Sequence, residues 1–315
     1  MFRRIAAAAA CGLLLAGCGS EDDEPSAAAQ APQAAAPLTY TPASDVASNA
    51  AIGKDVAAIR KLLDGAKPDF AAAREIWSKG SFSKNSDGGN RTLAEWVEKQ
   101  PAGTGVADAL TGKGTAAGLS EEARAQWIDK GMIVALASHS LEEFDGAKAK
   151  LAAGELDPKE GAIHNVDEVW AYFDAEGEGV VATAAKRSED FGFEPAELGN
   201  DVIAGIVAAR EAVVAKDEAA LDAAATRTRG AMNRIFALAV KKYAVEAAKG
   251  ATERAEGLAF SWALDGELPE GDLKTIQQAF AEDPPAGAAE RVSDMLDGAA
   301  SKLGFAGPLP EYSGS

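Results

Sequence analysis

Only two histidines occur in the 315 residues, and each sits in the same local pattern. His139 is followed by Glu142 and Glu143, and His164 by Asp167 and Glu168. In both places acids stand three and four positions beyond the imidazole. On a helix that spacing puts the three side chains on one face, with Cβ atoms about 5–6 Å apart. An imidazole with two carboxylates is a ligand set for a borderline or hard cation. Iron, ferrous or ferric, and manganese suit such a site better than copper(I), which prefers sulfur. Di-iron bundles use Glu-x-x-His on facing helices, so the order here is reversed while the physics is related. The alternative is that each histidine simply satisfies its own surroundings.

Helices must position these groups. Apolar residues recur at helical spacing through most of the chain, as in Met232, Ile235, Phe236, Ala239, Val240 and Tyr243. Ser120 before Glu121 and Glu122 reads as the N-cap of a long helix over 121–152. A second helix over 159–174 follows a break near Gly154–Pro158. Adjacent antiparallel helices would let the two clusters face each other. Ile128, Met132, Ala135 and Leu136 form a stripe that His139, Glu142 and Glu143 continue. A polar cluster on such a stripe must be paired, protonated or bound to an ion. Further helices are expected at 53–64, 69–79, 92–99, 178–188, 196–215, 218–248, 251–264, 270–282 and 286–302. Glycine-rich breaks are expected at Gly80–Asn90, Gly103–Gly118 and Gly298–Gly307. The fold expected is an all-α multi-helix bundle. An echo between Asp55–Arg74 and Asp201–Arg227 leaves room for an internal duplication.

Lys186 and Arg187 form a pair of cations at a helix end, and Arg91 follows the Gly88-Gly89-Asn90 loop. They are candidates for holding an anion, carbonate included, beside the metal. Ordinary helix C-capping by positive charge is the simpler account of the pair. Trp77, Trp96, Trp127, Trp170 and Trp262 read as core anchors. No nucleophile elbow, phosphate-cradling loop or His-Glu-x-x-His motif is present.

The ends of the chain bear on location. Arg3 and Arg4 precede an apolar run to Ala16, and Leu15-Ala16-Gly17-Cys18 resembles the lipobox of bacterial lipoproteins. Residues 1–17 are therefore expected to be a signal peptide and Cys18 the lipidated residue. Lipid would be the only membrane attachment. Residues 18–48, acidic and then rich in alanine and proline, are expected to be a disordered tether, with a ligand-binding domain over 49–315. Gly19 rather than aspartate after Cys18 favours the periplasmic face of the outer membrane, or the cell surface. A formal charge of −18 argues against nucleic acid as a partner.

Several segments together resemble the iron-assimilating, high-CO2-inducible periplasmic proteins of green algae and their bacterial relatives. They are Phe70 to Trp77 with Arg74 and Glu75, the loop from Asn85 and Gly88 to Arg91-Thr92-Leu93, Ile163 to Tyr172, and Ala182 to Gly192. The resemblance implies an extracytoplasmic, iron-linked role. The algal members lack a lipid anchor, so Cys18 departs from them. The resulting expectation is a lipid-anchored iron-binding protein that supports iron uptake, with a membrane transporter as a potential partner. His139 and His164 would supply nitrogen, and Glu142, Glu143, Asp167 and Glu168 oxygen. Glu75 is a weaker ligand candidate. Binding rather than turnover is the expected activity. One alternative is a metal-dependent enzyme, a ferroxidase or a relative of the imelysin-like peptidases, whose Gly-x-His-x-x-Glu pattern is matched here except for Ala137 in place of glycine. The other is a metal-free interaction lipoprotein.

Overall fold

The computed structural model describes residues 38–97 and 99–314. The expected signal peptide over 1–17, the expected lipidation site Cys18 and the expected tether as far as 37 lie outside the described residues. The described chain is all helical, apart from turns and one isolated antiparallel bridge between Lys84 and Asn90. In chain order the helices are α1 (Ala47–Ala50), α2 (Ile52–Leu63), α3 (Phe70–Lys79), α4 (Leu93–Val97), α5 (Pro101–Thr111), α6 (Glu121–Ala152) and α7 (Ala162–Asp174). They continue with α8 (Val180–Asp190), α9 (Glu197–Ala215), α10 (Glu218–Glu246), α11 (Ala251–Ser261), α12 (Glu270–Gln278) and α13 (Ala288–Gly298). Among the described residues no helix is long and apolar enough to cross a membrane.

The long helix α6 forms as its sequence directs. Ser120 caps it by accepting a hydrogen bond from Ala123 N–H, which satisfies one of the donors that every helix start leaves open. Ile128, Met132, Ile133 and Leu136 of α6 are buried with Val202 and Ile206 of α9 and with Met232, Ile235 and Phe236 of α10. After α6 the chain turns at Gly154, whose φ is +76°, and α7 packs back along it. Ser140 Oγ donates to Val169 O and Asn165 Nδ2 to Glu143 Oε2, so the two helices run antiparallel.

Helix α5 contradicts the expected glycine-rich break. Pro101 sits in its first turn, where a missing N–H costs nothing. Its glycines permit close approach instead of breaking the helix. A Cβ on Gly105 would stand 2.0 Å from the Trp262 ring, so that indole packs directly on the α5 backbone. The duplicated-looking segments differ in build: α2 and α3 have 12 and 10 residues, α9 and α10 have 19 and 29.

The domain also begins earlier than residue 49. Leu38–Val46 is a strap laid across α7 and α9, with Tyr40 and Val46 buried. Tyr40 stacks on Trp170 at 5.8 Å between ring centroids, and the Arg210 guanidinium lies over the Tyr40 ring at 4.7 Å. Arg210 also donates to Thr41 O at 2.7 Å, and Asn200 Oδ1 accepts from Leu38 N–H at 2.8 Å. A composition read as disordered thus becomes fixed wherever an aromatic side chain finds a pocket.

Candidate metal centre

Helices α6 and α7 bring the two histidine clusters together in the same local geometry. His139 Nε2 is 3.4 Å from Glu143 Oε1, and His164 Nε2 is 3.4 Å from Glu168 Oε1. The two carboxylates then meet at one amide. Asn165 Nδ2 donates to Glu143 Oε2 at 2.6 Å and lies 3.4 Å from Glu168 Oε2. A chain of donors therefore runs from His139 through Glu143 and Glu168 to His164. These four side chains are between 11% and 19% exposed, sheltered yet reachable from solvent.

Two carboxyl groups face each other in this cluster. Burial, and then the neighbouring Glu168 carboxylate, push the Glu143 carboxyl up to about 8. Burial also acts to raise Glu168, but hydrogen bonding to and charge on His164 outweigh it and hold Glu168 below the usual range. Two adjacent carboxyls cannot both ionise cheaply, so one keeps a proton while the other is charged.

The surroundings fix each imidazole. Trp96 stacks on His139 with centroids 4.1 Å apart and planes 12° from parallel, and Tyr172 packs on it at 4.6 Å. On the other side, Ser44 Oγ donates to Asp167 Oδ2 at 2.7 Å and lies 3.1 Å from His164 Nδ1. The Ser44 proton is given to the carboxylate, so the hydroxyl oxygen accepts from His164 Nδ1–H. His164 Nε2 then faces Glu168, a contact that needs a proton or a metal ion between the two atoms. Asn49 Nδ2 donates to Glu168 Oε1 at 2.6 Å and to Tyr172 Oη at 2.8 Å. Burial first, then the negative charge of Glu168, push the Tyr172 phenol well above its ordinary range.

Imidazole nitrogen and carboxylate oxygen are ligand types that borderline cations take. Two atoms held about 2.1 Å from one ion at a tetrahedral angle stand about 3.4 Å apart, which is the separation in each histidine–glutamate pair. Asn165 Oδ1 is buried here with no hydrogen-bond partner. Among the described residues, no three of His, Cys, Asp and Glu stand close enough together as placed to hold a metal ion.

The chain matches the family described as Fea1, low iron-inducible periplasmic protein, over residues 12–261. It belongs to that family. The matched span covers α1 to α11, and with them every residue of the α6–α7 cluster. No curated protein and no solved structure matches the chain.

Within this Fea1 protein the sequence-derived candidates separate. His139, Glu143, His164 and Glu168 come together. Glu142 stands at the mouth, 55% exposed and 3.4 Å from His139 Nδ1. Asp167 does not join the group. Its carboxylate accepts from Tyr40 Oη, Ala43 N–H, Ser44 N–H and Ser44 Oγ, so it anchors the strap and leaves no free lone pair aimed at the cluster. Glu75 is also apart, on an exposed face of α3 where it pairs with Lys79 at 2.5 Å. Lys186 is exposed on α8, and Arg187 is buried against Asp190 at 2.6 Å and over the Tyr243 ring, so an anion beside the metal does not follow from this pair. Arg91 does lie near the cluster, where its charge lowers Glu168 and Tyr172. It is held there by the Gly80–Asn90 loop, which Asp55 ties down through Phe82 and Ser83 N–H.

Sequence reasoning missed Trp96, Tyr172, Asn49, Asn165 and Ser44. Asn165 directly follows His164 and was open to notice. Ser44 lies 120 residues from its imidazole partner, and no local pattern signals such a pair.

Proposed function

We propose that this protein binds iron outside the cytoplasm through His139, Glu143, His164 and Glu168, with Glu142 at the entrance, and so supports iron uptake. The observation that carries this reading is the paired arrangement of His Nε2 and Glu Oε at 3.4 Å on two antiparallel helices, closed at Asn165. The family description, low-iron-inducible and periplasmic, supports the same metal and compartment. Lipidation of Cys18 would keep the domain at a membrane surface, periplasmic or external, beside a transporter able to receive the ion. Manganese shares the ligand preferences and is the natural competitor.

The test is calorimetric titration of ferrous and ferric iron into a soluble form beginning at Gly19, which retains the strap. A His139→Ala/His164→Ala variant is titrated beside it. Stoichiometric binding abolished in the variant is expected. Equal binding by both proteins, or binding by neither, would refute the reading. Manganese titrated in the same way ranks the two metals.

A further inference from the structure

A second polar site lies away from the histidines. A cavity of about 460 Å3 opens between α10, the segment after α11 and the turn after α13. Arg227, Arg229, Arg234 and Lys302 line it, against only Asp201 and Glu267. The whole chain has 49 acidic residues and 31 lysines and arginines, so this local excess of cations runs against its composition.

Two of the four cations are neutralised in place. Arg234 pairs with Asp201, and Arg229 lies 3.3 Å from Glu267. Arg227 and Lys302 are exposed and have no ion pair among the described residues. Asn233, 3% exposed, forms part of the floor beneath these cations.

The cavity is built into the backbone. Gly304, at φ +80°, seats the C-terminal turn directly on α10, and a Cβ there would stand 2.4 Å from Gly230 O. Glu267, Ser301, Lys302 and Gly304 all lie beyond residue 261, so the matched family span does not include this wall. Planar guanidinium forks recognise carboxylate and phosphate oxygens, and the volume suits a small ligand.

We propose that this cavity binds a small polyanion bearing carboxylate or phosphate groups, through Arg227 and Lys302, with Arg229 and Arg234 as the charged walls. The site is independent of the metal centre. A neighbouring cavity of about 210 Å3 shares Arg229, Asn233 and Glu267 with it and reaches Glu142, so an anionic ligand here sits beside the approach to the histidines.

The test is calorimetric titration of citrate and, separately, inorganic pyrophosphate into the metal-free protein beginning at Gly19, at constant ionic strength. An Arg227→Ala/Lys302→Ala variant is run in parallel. Both replaced residues are exposed and outside the core, so the variant folds. Saturable one-to-one binding is expected, weakened by about tenfold or more in the variant, the scale of losing a charged contact. The His139→Ala/His164→Ala variant is expected to bind the anion as the parent does. Preference for citrate identifies a carboxylate ligand, and preference for pyrophosphate a phosphate ligand. No saturable heat with either anion up to roughly 10 mM, well above a weak specific Kd, overturns the proposal, as does equal affinity in the Arg227→Ala/Lys302→Ala variant.

Discussion

Glu143 of α6 and Glu168 of α7 reach the same amide nitrogen, that of Asn165, at 2.6 and 3.4 Å. Each carries a histidine one helical turn before it. The contact joins two local motifs into one group whose charge is unbalanced unless a proton or a metal ion is present.

That imbalance gives the metal-free protein a definite pH dependence. The folded-state Glu143 is raised from 4.5 to about 8, so between those values the folded state holds a proton that the unfolded state has lost. The stability this contributes is fully present below about pH 4.5 and is lost as pH rises through 8. Glu143→Gln, which cannot ionise, is expected to keep its melting temperature across this range while the parent declines. Parallel melting curves of the two proteins from pH 5 to 9, without metal, measure it. Identical slopes would show that Glu143 is not held protonated.

Asn165 is itself positioned by a glycine. A Cβ on Gly146 would stand 2.6 Å from Asn165 Nδ2, so Gly146→Ala must push the amide away from the carboxylates. The expected result is iron affinity reduced by about tenfold or more, as for other partners that orient ligands. The amide is the end of a side chain and can move, so the fold should persist. An unchanged Kd would remove Asn165 from the account.

Ser44, on the strap, and Asp167, on α7, together hold the His164 ring. Ser44→Ala removes the acceptor of His164 Nδ1–H and is expected to weaken iron binding by about tenfold to a hundredfold. Asp167→Ala leaves Tyr40 Oη and two backbone N–H groups without their acceptor and is expected to cost about 3 kcal/mol. Denaturant midpoints give the stability change, and faster proteolytic cutting near residues 38–46 reports release of the strap. Binding unaffected by Ser44→Ala would mean that the strap is structural only.

The α5 packing is testable without metal. Gly105→Ala must displace the Trp262 ring and is expected to destabilise the protein by about 1–3 kcal/mol, the cost of overpacking a filled contact. A urea midpoint measures it, and an unchanged midpoint would show that the Trp262 ring does not rest on the α5 backbone.

Local spacing made much of this protein legible. The bounds of α6 followed from Ser120 and a sustained apolar stripe, and the two histidine–glutamate pairs followed from the rise of a helix. Features joined only by the fold were not readable. Trp96 reaches His139 from another helix, and Tyr40 and Ser44 reach α7 from a segment whose composition suggested disorder. Helix α5 was hidden because Gly105 acts as a contact surface in three dimensions while resembling a break in one. Glu75 and Asp167 had the right chemistry for ligands, but Lys79 in one case and the strap in the other already occupy their oxygens.

The most direct measurement is a crystal structure of the iron-loaded protein with anomalous differences collected at the iron absorption edge. The expected result is a single peak between α6 and α7, within about 2.0–2.3 Å of His139 Nε2, His164 Nε2 and oxygens of Glu143 and Glu168. A peak bound elsewhere, at Glu75 for instance, or no peak in a protein that takes up iron in solution, would contradict the assignment.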